Sequence, residues 1–180
     1  NEERNIIQAL IKYGHITHYH TDPPENAEVS VGTYIIEEIL SDGIGFHVPV
    51  HQQILSEYQQ MSAQKDFHPE KHFLFHANRE ISTLTADLIT EKYALSKIHN
   101  KMKKIESESN RLLEYIPRLV FEFKNSLLLD EIKTLLLQLK AASEAKNYEL
   151  ANQIMQVMAE KDAIKKQLAK NLGERIITRL

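Results

Sequence analysis

The sequence predicts an all-α protein in two parts: an N-terminal helical bundle, then a long helix kinked at a proline and a projecting C-terminal helical hairpin, with room for a small β-hairpin over residues 15–31. Three observations carry that expectation. Apolar residues recur at i, i+3 and i+4 through most of the chain, the pattern of helices with one buried stripe. Glycines and prolines are few, five of each, and several stand where a stripe starts or stops. From Leu119 to Leu139, 12 of 21 positions are large and apolar, a density that sets the second half apart from the first.

Taken in order, Ile6, Ile7, Leu10 and Ile11 mark a helix over residues 2–13 that Gly14 ends. Residues 15–31 lose the helical period. His15 to His20 and Glu28 to Val31 are β-branched or aromatic, and the turn-forming Asp22-Pro23-Pro24-Glu25-Asn26 lies between them, so the sequence allows a hairpin. Tyr34, Ile35, Ile36, Ile39 and Leu40 restore a helix that stops at Ser41-Asp42-Gly43. Pro49 suits the first turn of a third helix carrying Val50, Ile54, Leu55, Tyr58 and Met61. Pro69 opens a fourth, short helix running through His76, and Ile81, Leu84, Leu88, Ile89 and Leu95 give a fifth.

The division into parts falls at 108, with residues 1–108 as the bundle and 109–180 as the long helix and hairpin. One stripe, Leu112, Leu113, Ile116, Val120, Phe123 and Leu127, continues straight through Pro117. Proline removes the hydrogen bond to the Leu113 carbonyl, so Pro117 is expected to bend the helix and serve as the hinge between the parts. The hairpin is expected to pair residues 118–142 with 148–172, with Asn147 capping the second arm and Gly173 ending it. Leu150, Ile154, Val157, Ile164 and Leu168 are expected to face the opposing arm, with Tyr148, Met155 and Met158 beside that seam.

Composition narrows the chemistry. With no cysteine there is neither a disulfide nor a thiolate zinc site nor a thiol nucleophile. Apolar runs reach only three residues, where a membrane-spanning helix needs about 20. No glycine-rich phosphate loop is present, and Ser41, Ser56, Ser82 and Ser96 lack a nucleophile elbow. His68, His72 and His76 fall at i, i+4, i+8, and His47 and His51 form an i, i+4 pair, spacings at which two imidazoles can share one zinc. No glutamate follows the first histidine as a metalloprotease base, so packed or solvated helix histidines are the stronger expectation. Lys97, Lys101, Lys103 and Lys104 are followed at once by Glu106 and Glu108 with no interleaved aromatics, which speaks against nucleic-acid contact. Residues 1–110 carry 10 basic and 16 acidic side chains, a net of −6, whereas residues 111–180 carry 12 and 9, a net of +3. The basic excess gathers between Lys161 and Arg179, where it can complement an acidic partner. The chain begins at Asn1 and reads as a domain of a longer protein.

Several segments together resemble the C-terminal helicase-interacting domain of bacterial DNA primase: Glu3-Arg4-Asn5-Ile6-Ile7-Gln8-Ala9-Leu10-Ile11-Lys12-Tyr13-Gly14, Phe46-His47 with Gln52-Gln53-Ile54-Leu55, Tyr93-Ala94-Leu95-Ser96-Lys97-Ile98-His99, and Leu168-Ala169-Lys170-Asn171-Leu172-Gly173-Glu174-Arg175. The resemblance spans nearly the whole chain and implies an all-helical bundle followed by a hairpin. It implies a cytoplasmic, non-catalytic module of the replisome that binds the N-terminal domain of the replicative helicase, with no cofactor and no metal. Residues 15–31 depart from that family, whose first two helices are joined more briefly. The position of residues on the hairpin, not a motif, nominates the partner surface: Tyr148, Met155, Met158, Lys165, Lys166, Lys170, Arg175, Ile176, Ile177, Arg179 and Leu180. Two other classes remain open: a histidine-metal hydrolase or regulator built on His68, His72 and His76, and a structural coiled coil that self-associates through the hairpin.

Overall fold

A computed structural model describes residues 2–17, 19–20, 28–64, 66–90 and 108–177. In chain order the elements are α1 (Glu2–Tyr13), β1 (Tyr19–His20), β2 (Glu28–Val29), α2 (Val31–Ser41), α3 (Pro49–Met61), α4 (Pro69–Leu74), α5 (Arg79–Thr90), α6 (Glu108–Glu144) and α7 (Tyr148–Ile177). The fold is all-α, an N-terminal helical cluster followed by a long pair of helices. The segment the sequence allowed as a β-hairpin holds one antiparallel pairing, Tyr19 with Val29 and His20 with Glu28. Leu95, assigned to the fifth helix, lies outside the described residues.

The chain divides into two compact units, Asn1–Val120 and Phe121–Leu180. The first unit therefore extends beyond the boundary expected at 108, because Leu112, Ile116, Leu119 and Val120 at the start of α6 are all buried in the core. α6 runs uninterrupted through Pro117. In the first unit the core is built on α1, whose Ile6, Ile7, Leu10 and Ile11 are completely inaccessible. Gln8, buried among them, donates from Nε2 to the Leu88 carbonyl at 3.0 Å and so ties α1 to α5. Ser30 caps α2 by accepting from the Thr33 amide at 3.0 Å, and Asn78 does the same for α5 through the Glu80 amide at 2.9 Å.

The ends of α1 and α2 are held together without side chains at the contact. Gly32 N–H donates to the Gly14 carbonyl at 3.1 Å, and the buried Tyr58 ring of α3 lies across both glycines. A Cβ on Gly32 would lie 2.0 Å from the Tyr58 hydroxyl, and one on Gly14 would lie 2.2 Å from it. Only glycine fits at either position.

The second unit is the hairpin. α6 ends in a Schellman motif: Lys146 takes the left-handed conformation (φ 54°), its amide donates to the Ser143 carbonyl at 3.0 Å, and the Asn147 amide reaches back to Ala142 at 2.9 Å. Asn147 then caps α7, accepting from the Leu150 amide at 3.2 Å. The seam differs from the expected one. Its buried residues are Ala142, Ala151 and Ile154, with Leu135, Leu139 and Met158 packed against them. Along α7 the half-buried positions continue at Lys161, Lys165 and Leu168, so the inward register is 151, 154, 158, 161, 165 and 168. Leu150, Val157 and Ile164, expected in the seam, are instead 43%, 39% and 47% exposed. Gly173 does not stop the arm either, since α7 continues to Ile177. A glycine inside a helix costs about 1 kcal/mol relative to alanine, which flanking turns of good helix formers overcome.

Candidate functional site

The nominated partner surface separates into residues that face outward and residues that do not. Tyr148 and Met155 are 70% and 49% exposed, and Lys166 and Lys170 are exposed as well. Met158 and Lys165 are turned toward the seam, and Met158, expected beside it, packs instead on Ala142, Ala151 and Ile154. Arg175, Ile176 and Ile177 belong to the last turns of α7, and Arg179 and Leu180 lie outside the described residues. The seam is closed by an ion pair, Lys161 Nζ to Glu131 Oε2 at 2.5 Å, which accommodates a lysine where an apolar residue would otherwise sit.

What the seam leaves out is the more informative half. Leu150, Val157 and Ile164 recur every seven residues along α7, and Leu129 and Leu136 do the same along α6, at 43% and 50% exposure. A seven-residue repeat places each set in one straight row beside the seam, where it meets solvent. Leu137, further round α6, is 65% exposed. The seam of the second unit thus holds Ala142, Ala151 and Ile154 with a partly buried Lys161, while Leu129, Leu136, Leu137, Leu150, Val157 and Ile164 stay open to water.

Histidines form two separate clusters in the first unit, each around a glutamate. Glu3, buried in the first turn of α1, has its Oε1 accept from the His47 amide at 2.6 Å and its Oε2 from the Val48 amide at 3.2 Å. His51, also buried, brings Nδ1 to Glu3 Oε2 at 3.0 Å, and His47 Nδ1 lies 3.2 Å from Oε1. Burial pushes the Glu3 carboxyl up, but these amides and rings together outweigh it and hold its pKa below the usual 4.5. Glu3 therefore acts as a remote cap for the start of α3, whose own N-cap Val48 has no side-chain acceptor.

The second cluster centres on Glu57 of α3, with His72 Nε2 at 2.6 Å from Oε1 and His76 Nε2 at 3.1 Å from Oε2. The Asn78 amide donates to His76 Nδ1 at 3.0 Å, so Nε2 of that ring carries the proton and donates to the carboxylate. The three histidines expected on one helix face are not on one: α4 ends at Leu74, His68 is its exposed N-cap residue, and His76 lies beyond it. Among the described residues no group of three histidine, aspartate or glutamate side chains has the geometry to hold a metal ion. A groove of about 500 Å³ lies between the first turn of α3 (Val50, His51) and α5 (Arg79, Glu80, Thr83, Leu84, Asp87).

Residues 1–176 match a family described as a domain of unknown function (DUF8430). The chain belongs to that family. No curated protein and no solved structure matches it. Within this family member the residues that sequence reasoning missed are Glu3 and Glu57, which are distant in sequence from the rings they hold, and the outward leucines. The signal for the latter was present in the heptad spacing of 129 with 136 and of 150, 157 and 164. Among the described residues no helix is long and apolar enough to cross a membrane.

Proposed function

We propose that this chain is a non-catalytic interaction domain of a bacterial DNA primase that binds the N-terminal domain of the replicative helicase, recruits primase to the fork and modulates priming and unwinding in the cytoplasm. One observation carries the reading: besides its apolar seam, the helical hairpin leaves Leu129, Leu136, Leu150, Val157 and Ile164 exposed in heptad rows, the arrangement of helices that pack against further helices. The resemblance to the helicase-interacting domain supplies the partner, and no cofactor or metal enters the reading. The two glutamate–histidine clusters fit it as structural pins, since their rings are engaged with carboxylates.

Titration calorimetry of the 180-residue chain against the helicase N-terminal domain tests it. Binding is expected, and Met155→Glu is expected to abolish it while leaving the thermal midpoint unchanged, because Met155 is already 49% exposed. Absence of binding by the wild-type chain overturns the proposal. If sedimentation instead shows concentration-dependent dimers that Met155→Glu dissolves, the outward rows serve self-association.

A further inference from the structure

The hairpin has two flanks, and they differ in charge. Taking the inward register on both arms, 128, 132, 135, 139 and 142 on α6 and 151, 154, 158, 161, 165 and 168 on α7, each remaining position falls on one side or the other. In an antiparallel pair, the residue following the seam position on one arm shares a flank with its counterpart on the other. Leu129 and Leu136 of α6 therefore share a flank with Tyr148 and Met155 of α7, and all four are exposed. Leu150, Val157 and Ile164 lie on the opposite flank.

Three lysines border the first of these flanks, against one exposed acidic residue, Asp162, in the row of Tyr148 and Met155. Lys133 and Lys140 sit at i−3 and i+4 from Leu136, directly outside it on the helix surface, and Lys166 occupies the equivalent outer row on α7. Lys140 reaches Glu144 only at 3.9 Å with both side chains largely exposed, and no ion pair to Lys133 or Lys166 is found among the described residues. Beside the Leu150–Val157–Ile164 row the outer positions are Gln153, Glu160 and Gln167, without a lysine.

We propose that the Leu129–Leu136–Tyr148–Met155 flank is a docking groove for an amphipathic partner helix whose apolar face is bordered by glutamate or aspartate. The inference rests on reading the hairpin as the partner-binding element and names the chemistry of what binds there. A helix is required because the apolar residues repeat at seven positions, a rise of about 10.5 Å at 1.5 Å per residue, which matches successive heptads of a third helix. The tyrosine and methionine supply adaptable anchors, and the lysine border selects an acidic partner over a basic one.

The probe is a pair of synthetic 21-residue helices with the same leucine heptads, one with glutamate at the flanking positions and one with lysine, each titrated by fluorescence anisotropy into the 180-residue chain. The glutamate-flanked helix is expected to bind at least tenfold more tightly, with affinity falling as salt is raised. Leu136→Glu with Met155→Glu is expected to abolish binding, and Lys133→Glu with Lys140→Glu to reverse the preference. Equal binding of the two helices, preference for the lysine-flanked one, or no binding of either overturns the proposal. The helicase N-terminal domain run in parallel separates this from the functional reading. Helicase binding that survives Leu136→Glu/Met155→Glu refutes the groove alone, whereas peptide binding without helicase binding refutes the functional assignment alone.

Discussion

Replacing Glu3 is the sharpest test of how the first unit is held together. Its carboxylate takes the His47 and Val48 amides and the rings of His51 and His47 within 3.2 Å. Hydrogen bonds to a charged group contribute about 1.5–3 kcal/mol each, but not all are lost in full when the acceptor is removed. His47 is exposed and Val48 partly so, and their groups regain water, whereas His51 is 5% exposed and its Nδ1–H is left without a partner. Glu3→Ala is thus expected to cost about 3 kcal/mol, and Glu3→Gln about 2 kcal/mol, since the amide keeps one acceptor oxygen but turns an N–H toward a donor. Urea unfolding followed by tyrosine fluorescence reads this unit selectively, because every tyrosine except Tyr148 lies in residues 1–120. The pH dependence adds a second condition. The folded pKa of Glu3 is lowered from 4.5, so its stabilisation is fully present above that value and is lost as pH falls through the folded pKa. The gap between wild type and Glu3→Gln should be constant from pH 7 to about pH 5 and close below about pH 4.5. A gap under about 0.5 kcal/mol at pH 7, or one that persists unchanged at pH 3, refutes the account of Glu3 as an ionised cap.

Three further outcomes follow from the geometry. Gly32→Ala, whose Cβ would meet the Tyr58 hydroxyl at 2.0 Å, is expected to destabilise the first unit by roughly 2 kcal/mol, and a double-mutant cycle with Tyr58→Phe should recover only part, because the ring carbon Cζ would remain at 2.6 Å. Lys146→Gly should stabilise the hairpin by about 0.5–1 kcal/mol, since it relieves a lysine held at φ 54°, and hydrogen exchange at the end of α6 is the readout. Ile154→Ala, removing the largest fully inward side chain of the α7 seam, should cost about 2–3 kcal/mol and raise exchange along α7 without altering the tyrosine-monitored transition.

Much of this fold is legible in local sequence. The stripe of α1, the cap at Asn147 and the proline starts of α3 and α4 each depend on neighbours within a few positions, and the structure keeps them. Interactions that depend on folding are not legible in the same way. Glu3 and His51 are 48 positions apart, and nothing in either neighbourhood marks the other. The histidine spacing at 68, 72 and 76 looked meaningful because it assumed one continuous helix, and α4 is only six residues long. Phe75, left 77% exposed where α4 ends, shows how abruptly that helical periodicity breaks.

The hairpin register shows most clearly where local reasoning fails and why the failure is informative. Two rows on α7 obey the alternating three–four rule: 150, 154, 157, 161, 164, 168 and 151, 154, 158, 161, 165, 168. Hydrophobicity favours the first, which contains Leu150, Val157 and Ile164 where the second has Ala151, Met158 and Lys165. The turn decides for the second. Once Lys146 adopts its left-handed conformation and Asn147 caps α7, the rotation of the new helix about its axis is set, and Ala151 comes to face Ala142. Two alanines beside the turn let the arms approach closely, and every later inward position follows from that start. A register that a tight turn imposes against the hydrophobic preference of the arm leaves Leu150, Val157 and Ile164 outside, an inconsistency of the kind that natural chains retain where the exposed face has work to do. For that reason the outward rows of α6 and α7, rather than the histidine clusters, are where substitutions should separate function from stability.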